Sequence, residues 1–258
     1  MIRLAIINQK GGVGKTTTTV NLAAAMAEKG VRSLVLDLDS QASTTLSLGF
    51  DDEDIEYTMY DVLLGEADVE DAILERNGFD LIPSDVSLGG LDIEFSQYDH
   101  PQQLLKRRMD AANGDHQIML IDCPPSLGLM NINALTYADF VLIPVNCGFL
   151  SLQGIKNLFE TIKKVKQNLN SQLQILGILP CQYDARTRLS NEVLQEMEKY
   201  FGDMTLDTKI RVNIRLAEAP SHGQSIFEYD SGSRGAEDYM ALCEEVLERL
   251  ERAGHDLQ

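Results

Sequence analysis

Two lysines separated by a glycine-rich turn and followed by two threonines hold the most chemistry in this chain: Gln9-Lys10-Gly11-Gly12-Val13-Gly14-Lys15-Thr16-Thr17. Glycines at 11, 12 and 14 let backbone N–H groups crowd around a polyphosphate, and a helix starting just after them adds its positive end. In that pattern Lys15 reaches the β- and γ-phosphates, and the Thr16 hydroxyl completes a Mg²⁺ shell. Val13 and Thr17 complete the cradle. The usual phosphate-loop pattern begins with glycine where this chain has Gln9. Lys10 is an extra cation that the loop does not need for its own construction. Its two readings are a solvated surface lysine and a phosphate contact, either to its own nucleotide or to that of a facing subunit.

Two further segments end in carboxylates. The run Ile118-Met119-Leu120-Ile121 leads into Asp122 and then Cys123-Pro124-Pro125. A carboxylate at the carboxyl end of a buried strand is placed to hold Mg²⁺ through a water. The run Leu34-Val35-Leu36 leads into Asp37-Leu38-Asp39, whose two carboxylates share a side if the strand continues that far. Either could orient an attacking water. For Asp37 the competing reading is hydrogen bonding near the loop; Asp39 sits at the strand tip.

These groups need a frame that brings strand ends together. Apolar runs recur at 2–7, 33–38, 79–82, 117–121, 139–145 and 173–180, with a weaker one near 206–210. Segments of helical period lie between them: 20–29, 101–112, 188–201, 233–252, and a stripe of Leu152, Ile155, Leu158, Phe159, Ile162, Val165 and Leu169. Continuously apolar strands alternating with helices predict an α/β fold, a doubly wound, mostly parallel sheet with helices on both faces. Ligands in such sheets sit at the carboxyl ends of the strands. Neither a repeat nor a Pro/Gly/Ser-rich linker divides the chain, so residues 1–258 read as a single domain.

Composition narrows the function classes. The chain is long enough for one large core, with 258 residues, 44% of them hydrophobic. A net charge of −18, from 40 acidic and 22 basic residues, disfavours indiscriminate contact with nucleic acid or anionic lipid. Any such contact must use a local patch. The four cysteines are far apart and lack metal-ligand spacing, as expected of reduced thiols in a cytoplasmic protein. No stretch is apolar enough to span a bilayer, and no signal peptide precedes Met1-Ile2-Arg3. Ser221-His222 lacks the nucleophile elbow that a hydrolase reading would require.

Taken in order, NQKGGVGKTT, DLDSQAS and IDCPPSLGLMNINAL closely resemble the ParA/Soj partition ATPases, in the deviant Walker A group of P-loop NTPases that also contains MinD. Downstream, YDARTRLS, NIRLAEAPSHGQSI and YDSGSRGAEDYM extend the resemblance over nearly the whole chain. It implies a slow, partner-stimulated, Mg²⁺-dependent ATP hydrolase. Lys15 would be the Walker A lysine, Thr16 the metal ligand and Asp122 the Walker B carboxylate. Asp39 would be needed for hydrolysis, and Lys10 would cross the dimer interface to the partner's nucleotide. Arg211 and Asn213 would border the adenine, and Arg186 and Arg215 would contact DNA. The implied cofactors are ATP and Mg²⁺. The implied partners are a second copy in an ATP-sandwich homodimer, a ParB-like stimulating protein and double-stranded DNA bound without sequence preference. The location would be cytoplasmic and nucleoid-associated. Relatives carry DPQG where this chain has Asp39-Ser40-Gln41-Ala42, IPRN where it has Ile210-Arg211-Val212-Asn213, and LTM near Leu179-Pro180-Cys181-Gln182. The alternatives are a MinD-like membrane-associated ATPase and a regulator of a DNA-bound initiator. The acid-rich segment Glu244–Arg252 argues against lipid attraction.

Overall fold

The apolar runs become strands of one sheet. The computed structural model describes residues 1–51, 53–76, 78–95, 98–110, 114–148, 154–255 and 257. Its strands are β1 (Ile2–Ile6), β2 (Ser33–Asp37), β3 (Leu74–Arg76), β4 (Phe79–Ile82), β5 (Ile118–Asp122), β6 (Phe140–Asn146), β7 (Gln174–Tyr183) and β8 (Ile210–Arg211). They lie in the order β3-β4-β2-β5-β1-β6-β7-β8. Every pairing is parallel except β3 with β4. Parallel neighbours need long crossovers, and the helices supply them. These are α1 (Lys15–Glu28), α2 (Ser43–Ser47), α3 (Met59–Leu64), α4 (Leu91–Phe95), α5 (Leu104–Met109), α6 (Leu129–Tyr137), α7 (Ile155–Asn168), α8 (Arg188–Phe201), α9 (Ile214–Glu218), α10 (Ile226–Asp230) and α11 (Arg234–Arg252).

Strand alternation explains why the central strands are apolar throughout. In β5, Met119 and Ile121 join a core with Met59 and Val62 of α3, Leu135 of α6 and Leu158 of α7. Ile118 and Leu120 join a second core with Leu22 and Met26 of α1 and Leu242 and Val246 of α11. Both faces are covered, so each such residue adds about 1.5–3 kcal/mol of burial on its own side. All four cysteines are buried and free. Cys243 lies on the covered face of α11 beside Leu242 and Val246.

The structure departs from the sequence expectations at the edges. The antiparallel strand β3 is an addition to them, because three residues of mixed polarity carry no readable period. The helix expected over 101–112 is a 3₁₀ turn at Pro101–Gln103 followed by α5, since Pro101 starts a turn but cannot continue a helix begun earlier. Residues 111 and 112 lie outside the described residues, as does Leu152 of the stripe that forms α7. The weak run near 206–210 contributes only β8.

Edge strand β3 also ties the end of α2 to the segment that enters α10. Arg76 donates to the carbonyl of Leu48, at the end of α2, at 2.5 Å, and to the carbonyl of Gly223 at 2.9 Å. It pairs with Glu228 at 3.0 Å while remaining largely buried. Arg76→Ala should lower stability by about 2–3 kcal/mol, read as a lower urea midpoint with an unchanged slope.

Candidate functional site

The carboxyl ends of β1, β2 and β5 are adjacent, and the polar groups predicted from sequence converge there. The Cα register pairs Ile6 with Asp122 and Asp37 with Asp122. After β1 the chain turns through the glycine loop into α1. Asn8 sets the turn: its Oδ1 accepts from the Lys10 N–H at 3.0 Å and its Nδ2 donates to the Pro144 carbonyl at 2.7 Å. Gln9, standing where glycine is usual, donates to the Gly154 carbonyl at 2.6 Å and so joins the loop to the start of α7. Gly14 is the N-cap of α1 with φ of 96°, a conformation glycine adopts without the Cβ clash. It supplies no side chain, so the first N–H groups of α1 carry no side-chain cap, and no acidic residue occupies the first turn. Such a helix start is open to an anion.

Lys15 is buried, and its Nζ lies 3.4 Å from the Lys10 carbonyl, across the loop. Lys10 is exposed and forms no ion pair among the described residues. Asp122 is the hub. Its Oδ2 accepts from Thr16 Oγ1 at 2.8 Å and from Thr44 Oγ1 at 2.7 Å. Its Oδ1 is buried and has no hydrogen-bond partner among the described residues. Burial raises the Asp122 carboxyl above the usual range, against the bonds from Thr44 and Thr16 and the charge of Lys15. An orphaned buried carboxylate oxygen is a costly arrangement unless something cationic meets it. The Thr16 hydrogen is committed to Asp122, which leaves the hydroxyl lone pairs for a cation. These donors are hard oxygens, so the residues fit Mg²⁺.

The two strand-end aspartates have different surroundings. Asp37 is fully buried and accepts three hydrogen bonds: from the Asp39 N–H at 3.1 Å, the Thr45 N–H at 3.0 Å and the Thr45 hydroxyl at 2.9 Å. It therefore holds the turn into α2, as the hydrogen-bonding alternative expected. Burial, with the charge of Asp122 second, pushes its carboxyl up to about 7. Asp39 is half-buried. Its Oδ1 accepts from the Gln41 N–H at 3.0 Å, and Ala42 follows with φ of 50°. Asn8, Thr44 and Thr45 are absent from the sequence-based candidates. The signal for the threonines was present, as hydroxyls just after a strand-end carboxylate.

A cavity of about 280 Å³ opens beside Gly14 and Thr17, walled by Cys181, Asn213, Leu216 and Tyr239. Arg211 lines it too, but its guanidinium is held by Asp238 at 2.6 Å and Glu237 at 3.1 Å. The Asn213 Oδ1 caps α9 by accepting from the Arg215 N–H at 2.8 Å. The candidate DNA-contacting arginines are paired with carboxylates. Arg186 is 87% exposed and pairs with Asp184 at 2.8 Å, and its hydrogen bond draws that carboxyl down to about 2. Arg215 meets Glu218 at 2.9 Å and Asp230 at 3.4 Å. Exposed pairs of this kind hold weakly, so a phosphate could replace the carboxylate.

Known proteins resemble this chain over most of its length. Residues 1–175 match the AAA domain family. The sporulation initiation inhibitor protein Soj of Bacillus subtilis is 46% identical over 245 residues, covering 94% of this chain and 97% of that protein. The chromosome partitioning protein ParA of Caulobacter vibrioides is 43% identical over 250 residues, covering 95% and 94%. Among solved structures, cobyrinic acid a,c-diamide synthase of Mycobacterium smegmatis with bound ADP and magnesium superposes with a TM-score of 0.86 at 33% identity, covering 100% of this chain and 98% of that one.

Asp37 makes a prediction about pH. The folded, nucleotide-free chain holds this proton more tightly than the unfolded chain, whose aspartates titrate near 4. The stability it contributes is complete below about pH 4 and is lost as pH rises through about 7. The urea midpoint of the apo protein should fall between pH 5 and pH 8, and Asp37→Asn should fall less over the same range.

Proposed function

The chain belongs to the ParA/Soj family of chromosome-partitioning ATPases, and on that footing we propose that ATP closes two copies into a DNA-binding dimer. It is a magnesium-dependent ATP hydrolase. One observation carries the site assignment: Asp122 turns one oxygen to the Thr16 hydroxyl and leaves the other bare, next to an α1 N-terminus without a side-chain cap. Thr16 and Asp122 would hold the metal, which would supply charge neutralisation at the phosphates during phosphoryl transfer.

The chain's own groups do the rest. The backbone N–H groups of residues 11–17 cradle the phosphates. Lys15 exchanges the Lys10 carbonyl for phosphate oxygens, a short swing for a side chain already inside the loop. Asp39 orients the water that attacks the γ-phosphorus. The bond to the bridging oxygen breaks, and ADP and phosphate leave. Lys10, exposed and without a carboxylate partner among the described residues, reaches the partner's triphosphate and offsets the repulsion of two polyanions meeting at a seam. A ligand that favours the associated state in this way shifts the monomer–dimer equilibrium by mass action. Arg211 and Asn213 line the base cavity. With the guanidinium committed to Asp238, Arg211 meets the base by its backbone or its aliphatic stem.

Pairing the protomers doubles any basic patch, and Arg186 and Arg215 then engage phosphates in place of Asp184 and Glu218. Sequence is not read, since these are backbone contacts. A ParB-like protein stimulates hydrolysis and resets the cycle, and the ATP form resides on the nucleoid. No helix among the described residues is long and apolar enough to cross a membrane. The last long helix, α11, is amphipathic but spends its apolar face on the second core, which leaves none for lipid.

Light scattering with MgATP tests the dimer. Wild type should double in mass and Lys15→Ala should stay a monomer. Asp39→Ala should remain a dimer for at least about tenfold longer, the effect of losing a positioning group for water. Doubling by Lys15→Ala would remove the site assignment. For DNA, Arg215→Glu should weaken binding to all duplexes equally and flatten the salt dependence by about one phosphate contact or more. A loss confined to some sequences would contradict backbone recognition.

A further inference from the structure

Strand β7 carries an extra residue where it pairs with β8. Cys181 is opposite Ile210 and Tyr183 is opposite Arg211, so Gln182 has no counterpart and forms a bulge. Its φ is 52°, in the left-handed region that residues with a Cβ rarely occupy. Bulges re-aim side chains, and this one aims an amide at the glycine loop. Gln182 Nε2 donates to the Gly12 carbonyl at 3.0 Å, and its Oε1 accepts from Asn146 Nδ2 at the end of β6. Both halves of the amide are used, one on the loop and one on the sheet. Asn8 accepts from the Lys10 N–H, and Gln9 is tied to the Gly154 carbonyl, so these anchors act on residues that precede Gly12. The stretch Gly11–Gly14 has no side chain except Val13 with which to fix itself.

We infer that Gln182 is a positioning residue, a strap that keeps the Gly12 carbonyl turned outward and so holds the phosphate loop in its receptive shape against opening. The backbone strain at the bulge persists because the two side-chain bonds favour it. Gln182 also stands four residues before Arg186, and so joins the nucleotide loop directly to the segment that carries that arginine. Loosening the strap frees the loop to open and lets nucleotide leave faster. The second part of this inference rests on the nucleotide assignment of the loop; the first does not.

Two variants test it. Gln182→Gly removes both bonds while suiting the left-handed backbone. Gln182→Glu keeps the length and the bond from Asn146, but its carboxylate cannot donate to the Gly12 carbonyl. In nucleotide-free protein, hydrogen exchange of a peptide spanning 9–14 should quicken about fivefold in both variants, the effect of one hydrogen bond. A peptide covering β5 should be unchanged, and the melting temperature of Gln182→Gly should hold or rise. With magnesium present, a fluorescent ADP should leave both variants about fivefold faster than wild type. Loop exchange equal to wild type in both variants overturns the strap, as does a rise in exchange shared by β5. If wild type binds no labelled nucleotide, the nucleotide assignment falls, while the exchange comparison still decides the strap.

Discussion

One buried carboxylate ties the active edge of the sheet together. Asp122 ends the strand between β1 and β2, and its Oδ2 receives hydroxyls from two different helices, Thr16 of α1 and Thr44 of α2. The glycine loop and the turn that carries Asp39 therefore share an anchor. Charge buried among apolar side chains is tolerated only with such partners. The oxygen without a donor among the described residues leaves part of its burial cost without an offset. The neighbouring Asp37 shows the contrasting solution, a carboxylate saturated by donors and spent on structure.

Much of this was legible in the sequence, for identifiable reasons. Each central strand is buried on both faces, so a continuous apolar run marked it. The long helices α7, α8 and α11 are covered on one face, so a period near 3.6 marked them. The loop at 9–17 was readable as a strand-to-helix junction because its glycines follow an apolar run and precede a helix-patterned segment, and Gly14 takes the left-handed conformation there. Asp37 and Asp39 were not separable in that way, since their difference lies in Thr45, which folds back eight residues later to occupy one of them. The same holds for Gln182 and Gly12, brought together across 170 residues of chain. Sequence spacing is silent on contacts made by tertiary packing.

The acidic balance of the chain has a structural expression in its arginines. Arg3 with Asp139, Arg186 with Asp184, Arg211 with Asp238, Arg215 with Glu218 and Arg249 with Glu245 are all matched to carboxylates. The surplus of acid surrounds them, so cations are committed before any external partner arrives. A polyanion that engaged Arg186 or Arg215 would exchange one anion for another, with a driving force that depends on salt and on how many such sites engage together.

The position of Lys15 has a consequence for how nucleotide arrives. Its ammonium already lies inside the loop, out of water and resting on a main-chain oxygen. On the proposed reading, an incoming triphosphate would not need to strip a hydrated cation or wait for a coil to wind into a cradle, because the ordering and drying were done when the polypeptide folded. Capture would then be left to diffusion and to the steering of an anion past a negatively charged exterior.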